Sequence, residues 1–228
     1  MFSGDWDPRS IFSFLNSSVD SSFWRGRRVL DVGSNTGGLS LEIARKGASV
    51  IASEPDPYNN TYAKTRDILR DIRANEALDI YFYNFDLRDL INQNRKFDVV
   101  LFLGLLYHFR NPQLLLDRLN SLISTGGTLF LSTQTHPGDE LLMVNRRQHG
   151  VMRENHLSSD INLSGWHITR PLLNKMLIWS GFGDVKFLTD EKFSFPKKPP
   201  GLTNSCYLMA TKTSELDVEL ENYKFYPR

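Results

Sequence analysis

A short apolar strand that enters a glycine-rich turn and then a helix constrains this chain more than any other feature. Residues 27–32 have the pattern of a strand, residues 33–38 contain three glycines, and residues 38–46 have the pattern of a helix. Glycine lets the backbone approach a ligand closely, and the start of a helix offers free N–H groups. The segment therefore predicts a site for a nucleotide-like cofactor.

The spacing of the glycines narrows the kind of cofactor. The turn reads Gly33-Ser-Asn-Thr-Gly37-Gly38, whereas dinucleotide-binding folds use the spacing G-x-G-x-x-G. A phosphate-binding loop continues from its last glycine into Lys and then Ser or Thr, but here Leu39 follows the last glycine. The spacing therefore favours neither NAD nor ATP.

The rest of the chain alternates between strand-like and helix-like segments, which predicts an α/β fold with a Rossmann-like, doubly wound, seven-stranded sheet. The last two strands are joined by a loop without a helix, so we expect them to form a C-terminal antiparallel hairpin. The later strand-like segments are 48–53, 79–85, 97–103, 128–133, 185–195 and 206–212, and the helix-like segments are 57–75, 112–122 and 169–179.

The chain divides into three regions on this pattern. Residues 1–26 form a helical segment, capped by Asp7, that we expect either to complete the core or to cover the cofactor as a lid. Residues 27–212 form the cofactor-binding domain, with an irregular insertion at about 136–165. Residues 213–228 form a polar tail that we expect to be loosely held.

The composition limits the partners and the compartment. The chain has 27 basic and 26 acidic residues, so its net charge of +1 gives no electrostatic reason to expect a polyanion partner. The single cysteine, Cys206, excludes an intramolecular disulfide and fits a reducing compartment. We find neither an apolar run of roughly 18 residues nor the pattern of a signal peptide. We therefore expect a cytoplasmic protein without a membrane span.

Acidic residues end three of the strand-like segments. Asp31 ends the first, and Glu54, followed by Pro55, ends the second. An acidic residue about 20 positions beyond the first strand typically accepts hydrogen bonds from ribose hydroxyls. Asp86 and Leu87 end the third segment, where a carboxylate also caps a following helix. Because ligands bind at the carboxyl ends of the strands in open α/β sheets, these residues are expected at one site.

The pattern Asp31-x-Gly33-x-x-x-Gly37 resembles the first motif of class I S-adenosylmethionine methyltransferases. The resemblance implies methyl transfer, S-adenosyl-L-methionine as cofactor, and a role for the acidic residue at the amino-acid end of that cofactor. It covers most of the chain, because the four strand ends occur in the expected order. The cofactor-binding residues that follow are Asp31, Gly33, Ser34, Asn35, Thr36, Gly37, Glu54, Pro55, Asp86, Leu87, Gly104, Leu105 and Tyr107.

A narrower resemblance lies after the fourth strand. Residues 104–112 resemble the G-V-L-Y-H-x-x-x-P stretch of the tRNA wobble-uridine carboxymethyltransferase group, and Asn35 and residues 166–182 fit that group as well. Those enzymes carry a longer N-terminal extension, which we do not expect here. They use a carboxylated cofactor that is held partly by basic side chains, and we find no basic counterpart of those side chains at 203–206. We therefore expect ordinary S-adenosylmethionine and a small-molecule acceptor, with tRNA less favoured.

Two histidines are candidates for the general base that a hydroxyl acceptor would need. His108 follows the fourth strand and His136 follows the fifth, and imidazole suits proton transfer near neutral pH. The predicted reaction is O-methylation of a small molecule, with nitrogen as a less favoured acceptor atom. The alternatives are tRNA wobble-uridine modification and a non-catalytic module that only binds the cofactor.

Three further histidines lie in or beside the insertion. They are His149, His156 and His167, and no metal-ligand spacing such as H-x-x-x-H or H-E-x-x-H links them. We expect surface histidines and no metal. The insertion itself is expected to cover the acceptor, because long loops over a site usually carry specificity.

Overall fold

The computed structural model describes residues 7–54, 61–83, 95–109, 111–145, 165–189 and 204–216. The chain forms two compact units, Met1–Leu101 and Phe102–Arg228. In the described part of the chain, no helix has the length and apolar composition that crossing a membrane requires.

The first unit is a parallel sheet with helices between its strands. Its elements are α1 Pro8–Asn16, β1 Arg28–Val32, α2 Gly38–Ala44, β2 Ser49–Ser53, α3 Thr61–Glu76, β3 Ile80–Tyr83 and β4 Phe97–Leu103, whose last two residues belong to the second unit. The strand order is β3-β2-β1-β4, as in Rossmann-like folds. β1 pairs in parallel with β2, and β2 pairs in parallel with β3, so the carboxyl ends of these strands lie at the same edge.

Helix α1 forms as its sequence predicts and packs against α2. Asp7 caps it, and the Asp7 carboxylate accepts a hydrogen bond from the backbone N–H of Arg9 at 3.3 Å. Phe12 is buried, with its ring 6.3 Å from that of the fully buried Trp24. The Trp24 indole N–H donates to the Asn16 side chain at 3.0 Å. Apolar burial therefore holds the N-terminal helix to the first unit.

The second unit contains both parallel and antiparallel strand pairs. Its elements are a 3-10 turn η1 Leu106–His108, α4 Pro112–Leu122, β5 Ile123–His136, β6 Met143–Asn145, β7 Trp166–Thr169, α5 Arg170–Trp179, β8 Phe182–Phe187 and β9 Asn204–Lys212. β5 pairs in parallel with β7, while β9 pairs antiparallel with β5 on one side and with β8 on the other. β6 pairs antiparallel with β7.

The predicted α/β class and the C-terminal antiparallel hairpin are confirmed. The described residues form the seven predicted strands and two more, β6 and β7, which are too short for their pattern to be read. β8 begins at Phe182, three residues earlier than predicted. Gly183 and Asp184 are residues typical of a turn, so the sequence predicts that the strand begins after them. In the structure an irregularity in the pairing with β9 accommodates them, with φ at 48° for Asp184.

A buried lysine fixes the end of β9. Lys212 is fully buried, and its ammonium donates hydrogen bonds to the carbonyls of Asn120 at 3.0 Å and Ile123 at 2.9 Å and to the Glu215 carboxylate at 2.7 Å. The backbone N–H of Ser214 donates to Gly181. The first residues of the predicted loose tail are therefore held to the second unit, and residues 217–228 lie outside the described residues.

Replacing Lys212 with alanine should destabilise the protein strongly. The change leaves two carbonyls without their donor and removes a buried aliphatic stem, so we expect the free energy of unfolding to fall by about 3 kcal/mol. Denaturant unfolding measures it. The control variant Arg70→Gln removes an ion pair with Asp67 whose side chains are 68% and 65% exposed, so it should cost less than about 1 kcal/mol. Equal losses in both variants would contradict the role given to Lys212.

Candidate functional site

Asp31 is the second-last residue of β1, and its carboxylate lies inside the protein. Only 4% of the residue is exposed, and the Ser40 hydroxyl on α2 donates to its Oδ2 at 2.5 Å. Burial raises the pKa of Asp31 to about 7. The Ser40 hydrogen bond opposes that rise, and the negative charge of Glu54 adds to it. The end of β1 is therefore an acidic position at which a cationic group would stabilise the charged form.

The glycine turn reverses the chain through three residues with positive φ. These are Gly33 at 67°, Asn35 at 51° and Gly37 at 72°. Asparagine adopts the left-handed region more readily than other side chains. Asn35 therefore preserves the backbone path at the position where the resembling family more often has glycine. The Gly37 N–H donates to the Ser34 carbonyl at 2.9 Å, which closes the turn.

Glu54 links the end of β2 to this turn. Its Oε2 accepts a hydrogen bond from the backbone N–H of Asn35 at 2.6 Å, and its own backbone N–H donates to the Tyr83 carbonyl at 3.0 Å. The Ser34 N–H donates to the Ser53 carbonyl at 2.9 Å. The structure thus brings the turn and the two acidic residues, Asp31 and Glu54, together in the first unit.

Two buried hydroxyls beside the turn have no hydrogen-bond partner among the described residues. They are Ser34 Oγ, on a residue that is 8% exposed, and Ser53 Oγ, on a residue that is fully buried. Buried polar atoms in proteins are nearly always satisfied by protein, water or ligand. With the acidic pair they form a set of donors and acceptors that fits the hydroxyl and amino groups of S-adenosylmethionine.

Close packing also requires the glycines at the start of α2. A Cβ on Gly37 would lie 2.8 Å from Leu69 Cδ1 and 3.2 Å from Phe82 Cε2, and a Cβ on Gly38 would lie 2.8 Å from Pro8 Cγ. The first contact comes from α3 and the last from the start of α1. These glycines therefore allow neighbouring elements to approach the turn.

The second unit holds the residues predicted after the fourth strand. Gly104 has a φ of 73°, and its N–H donates to the Ser132 carbonyl at 3.0 Å and hydroxyl at 2.8 Å. Leu105 precedes η1, which contains Tyr107 and His108, with ring centroids 4.2 Å apart. Burial raises the pKa of the Tyr107 hydroxyl. η1 packs against β5 and β7.

His136 ends β5 with a defined tautomer. Its Nδ1 lies 2.7 Å from the carbonyl oxygen of Pro137. Because a carbonyl only accepts hydrogen bonds, Nδ1 must carry the proton. The neutral ring therefore keeps its lone pair on Nε2, the form that a general base requires.

The predicted site residues thus fall into two groups, one in each unit. Asp31, Gly33, Ser34, Asn35, Thr36, Gly37 and Glu54 lie in the first unit, and Gly104, Leu105, Tyr107, His108 and His136 lie in the second. Pro55, Asp86 and Leu87 lie outside the described residues, as do His149 and His156.

The prediction of a surface position is wrong for His167. This residue is fully buried because β7 pairs with β5 on one side and β6 on the other. Across the described ranges, no group of three or more His, Cys, Asp or Glu side chains is arranged to hold a metal ion.

Sequence reasoning missed Ser40, which lies in the first turn of α2, nine positions after the carboxylate it contacts. Ser53, the last residue of β2, can be found from the sequence, because it flanks Glu54 at a strand end and competes for the same role. The signal for Ser40 is a polar residue within a helix whose buried face is otherwise apolar or glycine.

Comparison with known proteins identifies the family. The model of the methyltransferase domain family matches residues 9–176, most of the chain. The chain therefore belongs to the methyltransferase domain family, which confirms the class I methyltransferase prediction made from the glycine turn.

Individual relatives differ in what they modify. The tRNA U34 carboxymethyltransferase of Alcanivorax borkumensis is 30% identical over 166 residues, which is 71% of this chain and 48% of that protein. The ubiquinone biosynthesis O-methyltransferase of Rhizobium etli is 31% identical over 112 residues, or 47% of this chain and 41% of that protein. The chain thus spans about half the length, or less, of the curated relatives that it matches.

A solved structure shows the same fold at lower identity. The 1,6-didemethyltoxoflavin-N1-methyltransferase of Burkholderia thailandensis, solved with bound 1,6-didemethyltoxoflavin and S-adenosylhomocysteine, superposes with a TM-score of 0.61. It is 18% identical, and the match covers 91% of this chain and 78% of that one. This chain therefore shares with that methyltransferase the fold of alternating strands and helices that the sequence predicts.

Replacing Gly37 with alanine should destabilise the protein even without cofactor. The new Cβ meets Leu69 and Phe82 and strains a residue at φ 72°, so we expect a loss of about 2 kcal/mol or more. The control is Gly26→Ala, at φ 70° with open space around the new Cβ, which should cost about 1 kcal/mol from backbone strain alone. Thermal unfolding of the two variants compares them, and a smaller loss at Gly37 would contradict the packing argument.

Proposed function

We propose that this protein transfers the methyl group of S-adenosyl-L-methionine to the hydroxyl oxygen of a small molecule. The observation that carries the proposal is the cluster at the glycine turn of the first unit. There the buried carboxylate of Asp31, the carboxylate of Glu54 and two buried hydroxyls with no partner among the described residues surround a turn that glycine keeps open. The family to which the chain belongs supports it.

Each residue of the cluster has a distinct task in this proposal. Asp31 binds the amino group of the cofactor, because a buried carboxylate gains most from a cationic partner. Glu54, which lies beside the turn at the end of β2, accepts hydrogen bonds from the ribose hydroxyls. The hydroxyls of Ser34 and Ser53 complete the polar contacts. Pro55, Asp86, Leu87, Gly104, Leu105 and Tyr107 remain proposed cofactor contacts.

Methyl transfer to a hydroxyl requires the protein to align the acceptor oxygen and to remove its proton. The cofactor supplies a methyl group on a sulfonium, which leaves as a neutral thioether and so needs no general acid. The protein has to hold the acceptor oxygen in line and exclude water. A hydroxyl acceptor also has to lose its proton, which requires a base. His136 is proposed for this step, because its Nε2 carries the lone pair, and His108 is the second candidate.

Cofactor binding is the direct test of the proposal. Isothermal titration should detect binding of S-adenosylmethionine and of S-adenosylhomocysteine. Glu54→Gln should weaken both about tenfold or more, because it loses charge-assisted hydrogen bonds. The control Glu76→Gln alters a surface carboxylate that pairs with Arg45 and should bind like the wild type. If the wild type binds neither molecule, the proposal is wrong.

The base is tested with His136→Ala and His108→Ala in methyl-release assays on a metabolite panel. We expect His136→Ala to lower kcat by about 10²–10⁴-fold with little change in cofactor affinity. His108→Ala should be less affected. A loss confined to His108→Ala would move the role to His108, and full turnover in both variants would show that neither His136 nor His108 acts as the base.

Modification of tRNA is the second candidate function. It is favoured by the relatives named tRNA U34 carboxymethyltransferase, which match 71% of the chain at 30% identity. Binding to tRNA that weakens steeply as the salt concentration rises would support this candidate, because salt screens contacts to phosphate.

A module that only binds the cofactor is the third alternative. Methyl release with any acceptor would exclude it.

A further inference from the structure

Ser40 is the residue that acts most directly on the buried acid of the cofactor site. It is fully buried on α2, and its hydroxyl reaches across to Asp31 Oδ2 at 2.5 Å. A serine buried within a helix ordinarily bonds to the carbonyl four residues earlier. Ser40 donates instead to a carboxylate on a neighbouring strand. This contact therefore serves Asp31 rather than the helix.

We propose that Ser40 is a positioning residue of the cofactor site, whose hydroxyl holds the Asp31 carboxylate charged and oriented for the amino group of S-adenosylmethionine. The inference rests on the proposed function, because it assumes that cofactor at this turn. A donated hydrogen bond stabilises the ionised form of a carboxylate. It also fixes one of the two oxygens, which leaves the other for the ligand.

The surroundings of Asp31 show why this one donor matters. In the described residues, the nearby charge acting on Asp31 is Glu54, which is also negative and raises the pKa of Asp31 together with burial. The other acidic side chains of the elements around it are paired elsewhere. Glu42 of α2 pairs with Arg45 at 3.0 Å, and Asp98 of β4 pairs with Arg28 at 3.1 Å. The Ser40 hydrogen bond is the interaction that lowers the pKa of Asp31.

The consequence is a pH-dependent affinity. A protonated Asp31 cannot pair with an ammonium group, so cofactor affinity should rise with pH as Asp31, with a pKa of about 7, loses its proton. It should fall again above roughly pH 8, where the α-amino group of the cofactor loses its own proton. Without the Ser40 hydroxyl the carboxylate should hold its proton to higher pH, so the midpoint of the rising part of the profile should move upward.

The test measures S-adenosylmethionine affinity by titration calorimetry from pH 5.5 to 9 in wild type and Ser40→Ala. We expect about tenfold weaker binding at pH 7 and a midpoint about one unit higher in the variant. Ser40→Thr, which keeps the hydroxyl, should restore most of the affinity. Ser121→Ala, a helical serine that donates to the Arg118 carbonyl, should match the wild type.

A double-mutant cycle shows whether Ser40 acts through Asp31. In an Asp31→Asn background, Ser40→Ala should change the affinity less than about twofold. Thermal unfolding without cofactor verifies folding. If Ser40→Ala does not fold, Ser40→Cys, a weak donor of similar size, should show the same direction of change.

The two proposals fail in different ways. If the wild type binds the cofactor but Ser40→Ala has the wild-type affinity and pH midpoint, the role of Ser40 is overturned and the proposed function stands. If Ser40→Ala lowers cofactor affinity equally in the wild-type and Asp31→Asn backgrounds, Ser40 has only a structural role. If the wild type does not bind the cofactor at any pH, the proposed function itself fails.

Discussion

A carboxylate buried at the end of β1 is the constraint around which the first unit is arranged. Removing Asp31 from water is costly, and a second negative charge at Glu54 adds to that cost. One hydroxyl on α2 offsets part of it, and Glu54 is itself tied to the turn by the Asn35 N–H. An arrangement that leaves an acidic pair partly uncompensated is unfavourable for stability but well suited to a cationic ligand.

The positions of Asp31, Glu54 and the turn in the fold could be predicted from the sequence, because strand ends and glycine spacing are local features. Asp31 and Glu54 follow apolar runs, so their places at one edge of a parallel sheet came from the pattern alone. Asn35 fitted as well, since its unusual position only required a residue that tolerates positive φ. The antiparallel pairing of β8 with β9 followed from a connection without a helix.

What could not be predicted depends on contacts between segments distant in the chain. Ser40 meets Asp31, and Lys212 meets the carbonyls at the end of α4, only once the sheet has formed. A serine in a helix and a lysine near the end of a strand are usually solvated, so neither position suggested burial. His167 was placed at the surface for the same reason, since pairing on both sides of β7 has no trace in four residues of sequence.

The contact between Pro8 and Gly38 has a thermodynamic consequence. The first residue of α1 lies where the absence of a side chain on the first residue of α2 makes room for it. Binding of a ligand that orders the turn before α2 is therefore thermodynamically coupled to the docking of α1. Because such coupling is reciprocal, a docked α1 raises ligand affinity by the same factor by which the bound ligand stabilises α1 against fraying. Hydrogen-exchange protection of α1 should therefore increase when a ligand occupies the turn that follows β1.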